Sequence, residues 1–422
     1  MRLPKPRSVL YGLLIVGLLI SVGLLIAQDE ETLRVRTPID AEDPRFPDYL
    51  ARLVGRPITS GDAYSVLRNG DQTFPAMLRA IESARHRISF ETYIYSHGKL
   101  SRTFTAALAA AARRGVTVQI ALDSMGASDS GEETIKQLKD AGCQVAWFNP
   151  VSHFNLEEIN YRTHRKILAV DGEVAFIGGI GLADHWAGKA EGPKNWRDTQ
   201  FEVHGPAVDN IEAGFHENWI ETGGIVEPIV RPTTGPPAGD ARSVVVWSAS
   251  QGGPNALKLM YLLAIGAARK TLDIQSPYLI TDESTMWSLF EARKRGVRVR
   301  LLSEGDVTDA KPVKFAARAD YESMLEHGIE IYEYQPTMMH TKAFIADGAI
   351  SIVGSANFDN RSLELNDELN VLVASRTVAS ELTGDFERDL ARSKRFSLDE
   401  WRRRPVHIRA REKLWGFFGE IF

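Results

Sequence analysis

The sequence contains very little cysteine: Cys143 is the single cysteine in 422 residues. One thiol excludes an intramolecular disulfide and gives no basis for a metal site built from cysteines, so we interpret it as a small buried apolar side chain. The chain also lacks a surplus of positive charge, because its formal net charge is −5. Proteins that bind nucleic-acid duplexes usually carry such a surplus. The charge balance gives no support to a nucleic-acid partner, although a local basic cleft stays compatible with one.

Low-complexity tracts are absent, and a composition of 44% hydrophobic and 25% charged residues is that of a folded globular protein. The length is too great for one ordinary domain and suits two α/β domains with appendages. One segment near the N-terminus departs from this globular composition.

Residues 9–27 carry no charge and are rich in leucine, isoleucine, valine and glycine. A helix over them would span about 28 Å, close to the thickness of a bilayer core. The alternative is a cleaved signal peptide, but the apolar run is long for a signal core and ends without a recognisable cleavage site. We predict an uncleaved single-pass anchor in the cell membrane. Basic residues before it favour an N-terminus in the cytoplasm and the remaining chain on the outer, periplasmic face, although two arginines that follow oppose that orientation.

The rest of the chain repeats itself once. Residues 114–118 (RGVTV) match residues 295–299 (RGVRV), and residues 141–145 (AGCQV) match residues 327–331 (HGIEI). Each match reads as the end of a helix, a glycine and a short strand. Strands that alternate with helices indicate an α/β fold with a central sheet flanked by helices. We predict two such lobes, related by pseudo-two-fold symmetry.

Composition also predicts the boundaries of these units. Residues 231–239 form a dense proline and glycine run in the middle of the chain, which suits a connection between lobes. The C-terminal tail mixes basic and aromatic residues; it suits either the surface of an anionic membrane or a terminal helix packed on the second lobe. We divide the chain into an anchor (1–28), a linker (29–58), a first lobe (59–230), an inter-lobe linker (231–241), a second lobe (242–395) and a basic aromatic tail (396–422).

The strongest repeat is the motif His-x-Lys-x4-Asp, which occurs as His164, Lys166 and Asp171 and again as His340, Lys342 and Asp347. Four apolar residues separate the lysine from the aspartate in each copy, as in a buried strand. Alternation along such a strand would point the histidine and the lysine to the same side. We therefore expect two imidazoles and two ammonium groups to meet in one cleft between the lobes.

This set of side chains suits transfer at a phosphodiester. One histidine can attack phosphorus to form a phosphohistidine, and the other can give a proton to the leaving alcohol and take one from the acceptor. The lysines can hold the phosphate oxygens. We group Asp171 and Asp347 with the catalytic motifs, but their place at strand ends favours a structural role. Metal binding is the main rival, and lysines beside both histidines argue against it; we predict neither a metal nor a cofactor.

Glycine-rich turns follow both motifs. Residues 354–357 (GSAN) offer Ser355 and Asn357 as further donors to a phosphate, and the turn at residues 178–181 (GGIG) offers the backbone of Gly179. Gly181 stands at the position equivalent to Asn357. Beyond the second turn, Glu368 is the carboxylate that we choose to orient a catalytic histidine.

The paired motifs resemble those of the phospholipase D superfamily, and other strings are similar to bacterial cardiolipin synthases over about residues 61–393. These strings are NWRDT (195–199), VHGPAV (203–208), SPY (276–278), MHTK (339–342) and NDELN (366–370). The motifs alone identify only the superfamily, which includes lipases, phosphatidyltransferases and nucleases. Such synthases usually have asparagine where this chain has Gly181, which leaves the choice of acceptor open.

The resemblance implies a phosphatidyltransferase that moves a phosphatidyl group from one phosphatidylglycerol to another, releases glycerol and needs no metal. It implies His164 as nucleophile and His340 as acid and base, with the reverse assignment still open. Lys166, Lys342 and Asn357 would bind phosphate. The expected partners are phospholipids in the membrane, and the oligomeric state is open. A hydrolase that releases phosphatidic acid is the first alternative; a membrane-tethered nuclease and a non-catalytic lipid-binding scaffold are less favoured.

Overall fold

The computed structural model describes residues 32–150, 161–225, 237–248, 256–417 and 419. The predicted membrane anchor and most of the predicted inter-lobe linker lie outside these residues. Within the described ranges, no helix combines the length and the apolar character needed to cross a bilayer.

Most described strands belong to one continuous mixed sheet. Along the chain the strands are β1 Ile58–Arg68, β2 Arg87–Thr92, β3 Thr117–Asp123, β4 Gln144–Phe148, β5 Ile167–Val170, β6 Val174–Gly178, β7 Thr199–His204, β8 Ala241–Trp247, β9 Thr271–Gln275, β10 Leu279–Ile280, β11 Arg298–Glu304, β12 Glu330–Tyr334, β13 Ala343–Ala346, β14 Ile350–Gly354, β15 Phe358–Asp359, β16 Leu369–Ala374 and β17 Ser393–Arg395. Strands β10 and β15 form a separate parallel pair.

The order of strands across the large sheet is β17-β12-β11-β9-β13-β14-β16-β8-β1-β7-β6-β5-β2-β3-β4. Read from each outer side toward the middle, β12-β11-β9-β13-β14-β16-β8 has the same order of connections as β4-β3-β2-β5-β6-β7-β1. In each half three parallel strands adjoin antiparallel ones. The halves join where β1 pairs with β8 in antiparallel fashion. The expected α/β class with a large central sheet is therefore confirmed.

Helices cover both faces of the sheet. Their bounds are α1 Phe46–Val54, α2 Asn69–Ser83, α3 Lys99–Arg113, α4 Glu132–Asp140, α5 Ala207–Glu221, α6 Ala256–Ala267, α7 Glu283–Lys294, α8 Lys311–Ala317, α9 Tyr321–Glu326, α10 Arg376–Leu390, α11 Leu398–Arg402 and α12 Val406–Gly416. Helices α2, α3 and α4 pack in a core of the first half, and α1, α6 and α7 in a core of the second. Apolar residues of α5 and α10 share a third core with strands of both halves, which fixes the halves to each other.

The segment predicted as a linker, residues 29–58, includes a helix that belongs to a core. Phe46, Leu50 and Val54 of α1 are buried on one face of that helix and pack among residues of the second half. Arg242 at the start of β8 donates to the carbonyl of Pro44 and forms an ion pair with Asp48. Burial of that face fixes residues 46–54 to the second half. This part of residues 29–58 therefore belongs to a folded core rather than to a linker.

The motif histidines and lysines lie just before their strands, since β5 begins at Ile167 and β13 at Ala343. They therefore precede the strands rather than lie within them, but each lysine still contacts the histidine two residues before it, as expected. The motif aspartates end the strands in the left-handed region, with φ of 56° at Asp171 and 55° at Asp347. Asp171 accepts three backbone N–H groups, from residues 85 to 87, and Asp347 accepts three from residues 269 to 271. These contacts favour the structural role for both aspartates over the catalytic one.

We expect Asp171→Ala to lower the free energy of unfolding by about 2–4 kcal/mol, because three backbone donors lose a charged acceptor and because alanine tolerates the left-handed backbone less well than aspartate. Asp171→Asn keeps an acceptor and tolerates the left-handed backbone, so it should lose less. Urea unfolding measures both, and Asp347→Ala is the matched variant in the other half. Loss of turnover in fully stable Asp171→Ala protein would show a catalytic role instead.

Candidate active site

The two histidine segments pair with the backbone of the opposite half. The N–H of His164 donates to the carbonyl of Asp367 at 2.8 Å, and the N–H of Asp367 donates back to the carbonyl of Arg162 at 3.0 Å. The other motif repeats this pattern: the N–H of His340 donates to the backbone carbonyl of Arg197 at 2.7 Å. These short parallel bridges place both histidines where the halves meet.

A carboxylate from the opposite half contacts each imidazole. The Nδ1 of His164 lies 2.8 Å from Oε1 of Glu368, which is fully buried. The hydroxyl of Ser355 donates to the other oxygen of Glu368 and accepts from the N–H of Leu369 at 3.0 Å. The structure thus shows the contact expected for Glu368. Ser355 thus supports Glu368, and its predicted contact with phosphate stays a prediction.

Asp198 holds the second histidine in the same way. Its Oδ2 lies 2.8 Å from Nδ1 of His340 and accepts from the indole N–H of Trp186 at 3.0 Å. Gly179 lies against this carboxylate, since a Cβ there would be 2.6 Å from Oδ1 of Asp198. A glycine at this position leaves room for the carboxylate of Asp198, and the predicted backbone contact of Gly179 with phosphate stays a prediction.

Sequence reasoning missed Asp198, although a signal for it was present. Asp198 immediately precedes β7 and Glu368 immediately precedes β16, and these two strands hold equivalent places in the halves. Alignment of the repeat by strand order, rather than by motif spacing, finds the pair.

Both motif lysines are buried beside their histidines. The Nζ of Lys166 donates to the carbonyl of His164 at 2.7 Å, and that of Lys342 to the carbonyl of His340 at 2.8 Å. Burial lowers the pKa of Lys166 to about 7, although Glu368 opposes the shift. Burial likewise lowers the pKa of Lys342 to about 8, with Asp198 the main opposing charge. An anion that enters this site therefore meets ammonium groups with little competing water.

Burial also disfavours the charged form of both imidazoles. It lowers the pKa of His164 to about 4, with Glu368 opposing the shift and Lys166 adding to it. For His340, burial and then Lys342 lower the pKa well below its ordinary value, and His164 contributes to the same shift. Both histidines are thus neutral at pH 7 in the empty site. Residues of each motif thus contribute to the pKa shifts of the other motif, as expected for groups that share one site.

The walls around the two histidines differ. The ring of Tyr93 packs edge-on against His164 at 5.3 Å between centroids, whereas Trp186 and Trp196 lie 5.4 and 5.3 Å from His340. A Cβ at Gly181 would be 3.0 Å from Ile94 and 3.1 Å from Trp186. Ile94 and Trp186 thus leave little room for a side chain at position 181.

Asn357 is buried in the second half, and the equivalent position in the first half is Gly181, which has no amide side chain. Its Oδ1 has no hydrogen-bond partner among the residues that the structure describes. The same described part of the chain contains no group of three or more histidine, cysteine or acidic side chains arranged to hold a metal ion. The predicted lack of a metal cofactor stays a prediction.

The repeated α/β sheet and the two crossed histidine–carboxylate pairs define a phospholipase D-like protein. A family model described as "Cardiolipin synthase, PLD-like domain" matches residues 77–192 and 261–390, which together are more than half of the chain. The chain belongs to this family, as its motifs and its other synthase-like strings predicted.

Named relatives agree with this assignment. A cardiolipin synthase of Geobacillus kaustophilus is 32% identical over 372 residues, which cover 86% of this chain and 74% of the relative. Cardiolipin synthase 2 of Bacillus anthracis is 33% identical over 83% of this chain and 68% of its own length. The crystal structure of a phosphatidylserine synthase from Haemophilus influenzae superposes with a TM-score of 0.70 at 13% identity and covers 90% of this chain and 100% of that one. This last likeness shows the fold alone.

We expect Glu368→Gln and Asp198→Asn each to lower kcat by about 10²- to 10⁴-fold while KM changes little, because the imidazole loses its orientation and its preferred tautomer. Steady-state kinetics on dispersed lipid measures both constants. Asp389→Asn, which alters a buried carboxylate bound to Arg197 rather than to a histidine, is the control. Unchanged kcat in both histidine-partner variants would contradict the orienting role.

The lysines predict the alkaline side of the pH profile. Because burial lowers their pKa values to about 7 and about 8, each ammonium is lost as the pH rises through that range. We therefore expect kcat/KM, which reports on the free enzyme, to fall between pH 7 and 9. Lys166→Arg, which cannot lose its charge in this range, should abolish or shift the lower of the two transitions if it folds and binds. A profile that is flat to pH 10 in the unmodified protein would exclude this origin.

Proposed function

We propose that the protein is a cardiolipin synthase-like phosphatidyltransferase. It moves a phosphatidyl group from one phosphatidylglycerol to a hydroxyl of a second, and glycerol leaves. The crossed contacts His164–Glu368 and His340–Asp198, with two buried lysines beside them, are the observation that carries the proposal. The names of the relatives support the choice of lipid substrate within the family.

In the first step His164 attacks the phosphorus of the donor. Glu368 accepts a hydrogen bond from Nδ1–H of His164. Nε2 therefore carries no proton, and its lone pair faces the substrate. The P–N bond forms as the bond from phosphorus to the glycerol oxygen breaks, and Nε2–H of His340 gives its proton to that oxygen. The phosphodiester anion offsets the charges of the lysines, which raises the pKa of His340 enough for it to hold that proton.

In the second step the phosphohistidine reacts with the acceptor. His340, now neutral, removes the proton of a hydroxyl on the second phosphatidylglycerol, and that oxygen attacks phosphorus as the P–N bond breaks. His164 is restored and cardiolipin forms. Water in place of the lipid alcohol would release phosphatidic acid, so the hydrolase differs only in its acceptor.

Lys166, Lys342 and Asn357 stabilise the charge on the equatorial oxygens during both steps. Preorganised cations in a water-poor site are effective here because they need no reorganisation as charge develops. In the first half Gly181 stands at the position of a second asparagine, and Ile94 and Trp186 leave little room there. The two halves therefore offer different hydrogen-bond donors to the phosphate. This difference agrees with a reaction in which only one of the two histidines is the nucleophile.

The finer architecture belongs to the same proposal. The two halves are two lobes related by a pseudo-two-fold axis, and the repeated order of strands supports this relation. An uncleaved helix over residues 9–27 attaches the protein to the membrane in a single pass, with the site on the outer face; the uncharged run in the sequence supports it. Phospholipids in that membrane are the partners.

The first test uses purified full-length protein in phosphatidylglycerol vesicles with a chelator and no added metal. Mass spectrometry should detect cardiolipin and glycerol with the intact protein and none with His164→Ala. His204→Ala, at a half-exposed histidine on β7 that contacts Glu202, is the matched control and should keep full activity. Phosphatidic acid in place of cardiolipin would identify the hydrolase, and no turnover of lipid would overturn the proposal.

The order of the histidines has its own test. In the His340→Ala variant, His164 should still attack the phosphorus of the donor lipid slowly. The variant lacks the base for the second step, so a phosphatidyl group should accumulate on His164. Peptide mass spectrometry under alkaline conditions locates the modified histidine in His340→Ala and in His164→Ala. A phosphatidyl group on His340 in the His164→Ala variant alone would reverse the assignment.

A further inference from the structure

The C-terminal helix α12 packs on helix α8 beside the candidate site. Trp415 packs against a small cluster formed by Ile280, Val313, Ala316 and Ala317. The guanidinium of Arg411 lies 3.9 Å from the centroid of the Phe315 ring. These contacts use one side of α12 and fix its position on the second half.

The opposite side of α12 carries an exposed apolar stripe. Val406, Ala410, Leu414 and Phe417 follow one another at intervals of four, four and three residues, so they share one face. Val406 is 78% exposed, Leu414 62% and Phe417 63%. Such a stripe normally faces a core or a partner, since soluble surfaces seldom align large apolar side chains in this way. We call these four residues the α12 stripe.

The charges beside the α12 stripe are basic. Lys413 is exposed three residues after Ala410 and four before Phe417, and Arg403 is exposed shortly before the helix begins, whereas the acidic residue of the helix, Glu412, is buried and accepts from Arg404 at 2.8 Å. The stripe and its border are therefore apolar and positive, although the whole chain carries −5. Anionic lipid headgroups complement this surface. A second copy of the chain does not, because two such faces would bring the same cations together.

The α12 stripe lies near the rim of the site. Helix α8 follows β11, and the short connection between them carries Asp309, which accepts from the hydroxyl of Tyr278 at 2.7 Å. Tyr278 lies three residues beyond Gln275, which pairs with Ala343 at the start of β13, so this connection lies at the end of the sheet that carries His340. In the other half, the loop after β3 carries Met125, 46% exposed, and packs Gly126 against Tyr93, which itself contacts His164.

We propose that the α12 stripe, with its basic border, seats the rim of the active site on the surface of an anionic phospholipid bilayer. This inference rests on the proposed function, because a lipid phosphate must leave the bilayer plane to reach the buried histidines. The stripe enters the region between headgroups and acyl chains, and the basic residues contact lipid phosphates. The predicted N-terminal anchor keeps the protein at the membrane, whereas the stripe sets its orientation and distance.

A label reports the position of the stripe in full-length protein reconstituted in phosphatidylglycerol vesicles. The native cysteine is buried, so Leu414→Cys can be labelled selectively with an environment-sensitive fluorophore. Lys139→Cys, exposed at the end of α4 that points away from the carboxyl ends of the strands, is the control. We expect a blue shift and quenching by brominated acyl chains at position 414 and neither at position 139. Equal quenching at both positions, or none at 414, would overturn the proposal.

A kinetic arm separates docking from catalysis. Leu414→Glu combined with Phe417→Glu should lower cardiolipin formation on vesicles by roughly tenfold or more, because acidic groups cannot enter the interface of an anionic bilayer. The same variant should match the unmodified protein on phosphatidylglycerol in detergent micelles. Lys139→Glu changes the net charge by the same two units and should leave both rates unchanged.

The possible failures are distinct. If the unmodified protein forms no cardiolipin in either medium, the proposed function fails. If it is active and the double variant equals it on vesicles, only the docking surface fails. A change of mass of the detergent-solubilised protein in the double variant, measured by light scattering, would assign the stripe to contact between copies and would also overturn the inference.

Discussion

The site depends on a crossed arrangement in which each half supplies a histidine and the other half supplies the carboxylate that binds it. His164 meets Glu368, and His340 meets Asp198, each at 2.8 Å. The backbone of each histidine segment pairs with the segment that carries or adjoins the opposite carboxylate. Neither half alone therefore holds a complete histidine–carboxylate pair. The continuous sheet through β1 and β8, and the core shared by α5 and α10, keep the halves in the register that these contacts need.

Burial gives this arrangement its chemical consequences. Two lysines and two imidazoles near one another repel when charged, and burial removes the water that would screen them, so the pKa values of all four groups fall. The pKa of Asp198 rises to about 6 by burial, although Lys342 opposes that shift. In the empty site the histidines are neutral and the lysines have pKa values of about 7 and about 8. Such a site favours an anion, because the anion stabilises the protonated lysines that burial disfavours. A phosphodiester is such an anion.

The repeat is not perfect, and its departures give the two histidines different surroundings. Trp186 packs near His340, donates to Asp198 and lies close to Gly181, so that together with Ile94 it leaves little room for a side chain at position 181. Around His164 the wall is Tyr93, and Asn357 keeps its amide in the other half. A two-step reaction needs this inequality, since one histidine attacks phosphorus while the other moves protons.

The sequence by itself determined the α/β class, the duplication, the two motifs and the family, because helix ends, glycines and buried strands repeat at nearly constant separation. It also indicated Glu368, since a carboxylate after the second glycine-rich turn suits an imidazole. The pairing of Asp198 with His340, and the contacts of Ser355 and Gly179 with the two carboxylates, were decided only by the tertiary structure. Each depends on which strands are neighbours: Asp198 meets His340 across the halves, whereas Ser355 meets Glu368 and Gly179 meets Asp198 within one half. The exposed stripe on α12 has the same origin: the sequence shows a tail rich in basic and aromatic residues, and only the packing of Trp415 on the second half decides which face is left to solvent.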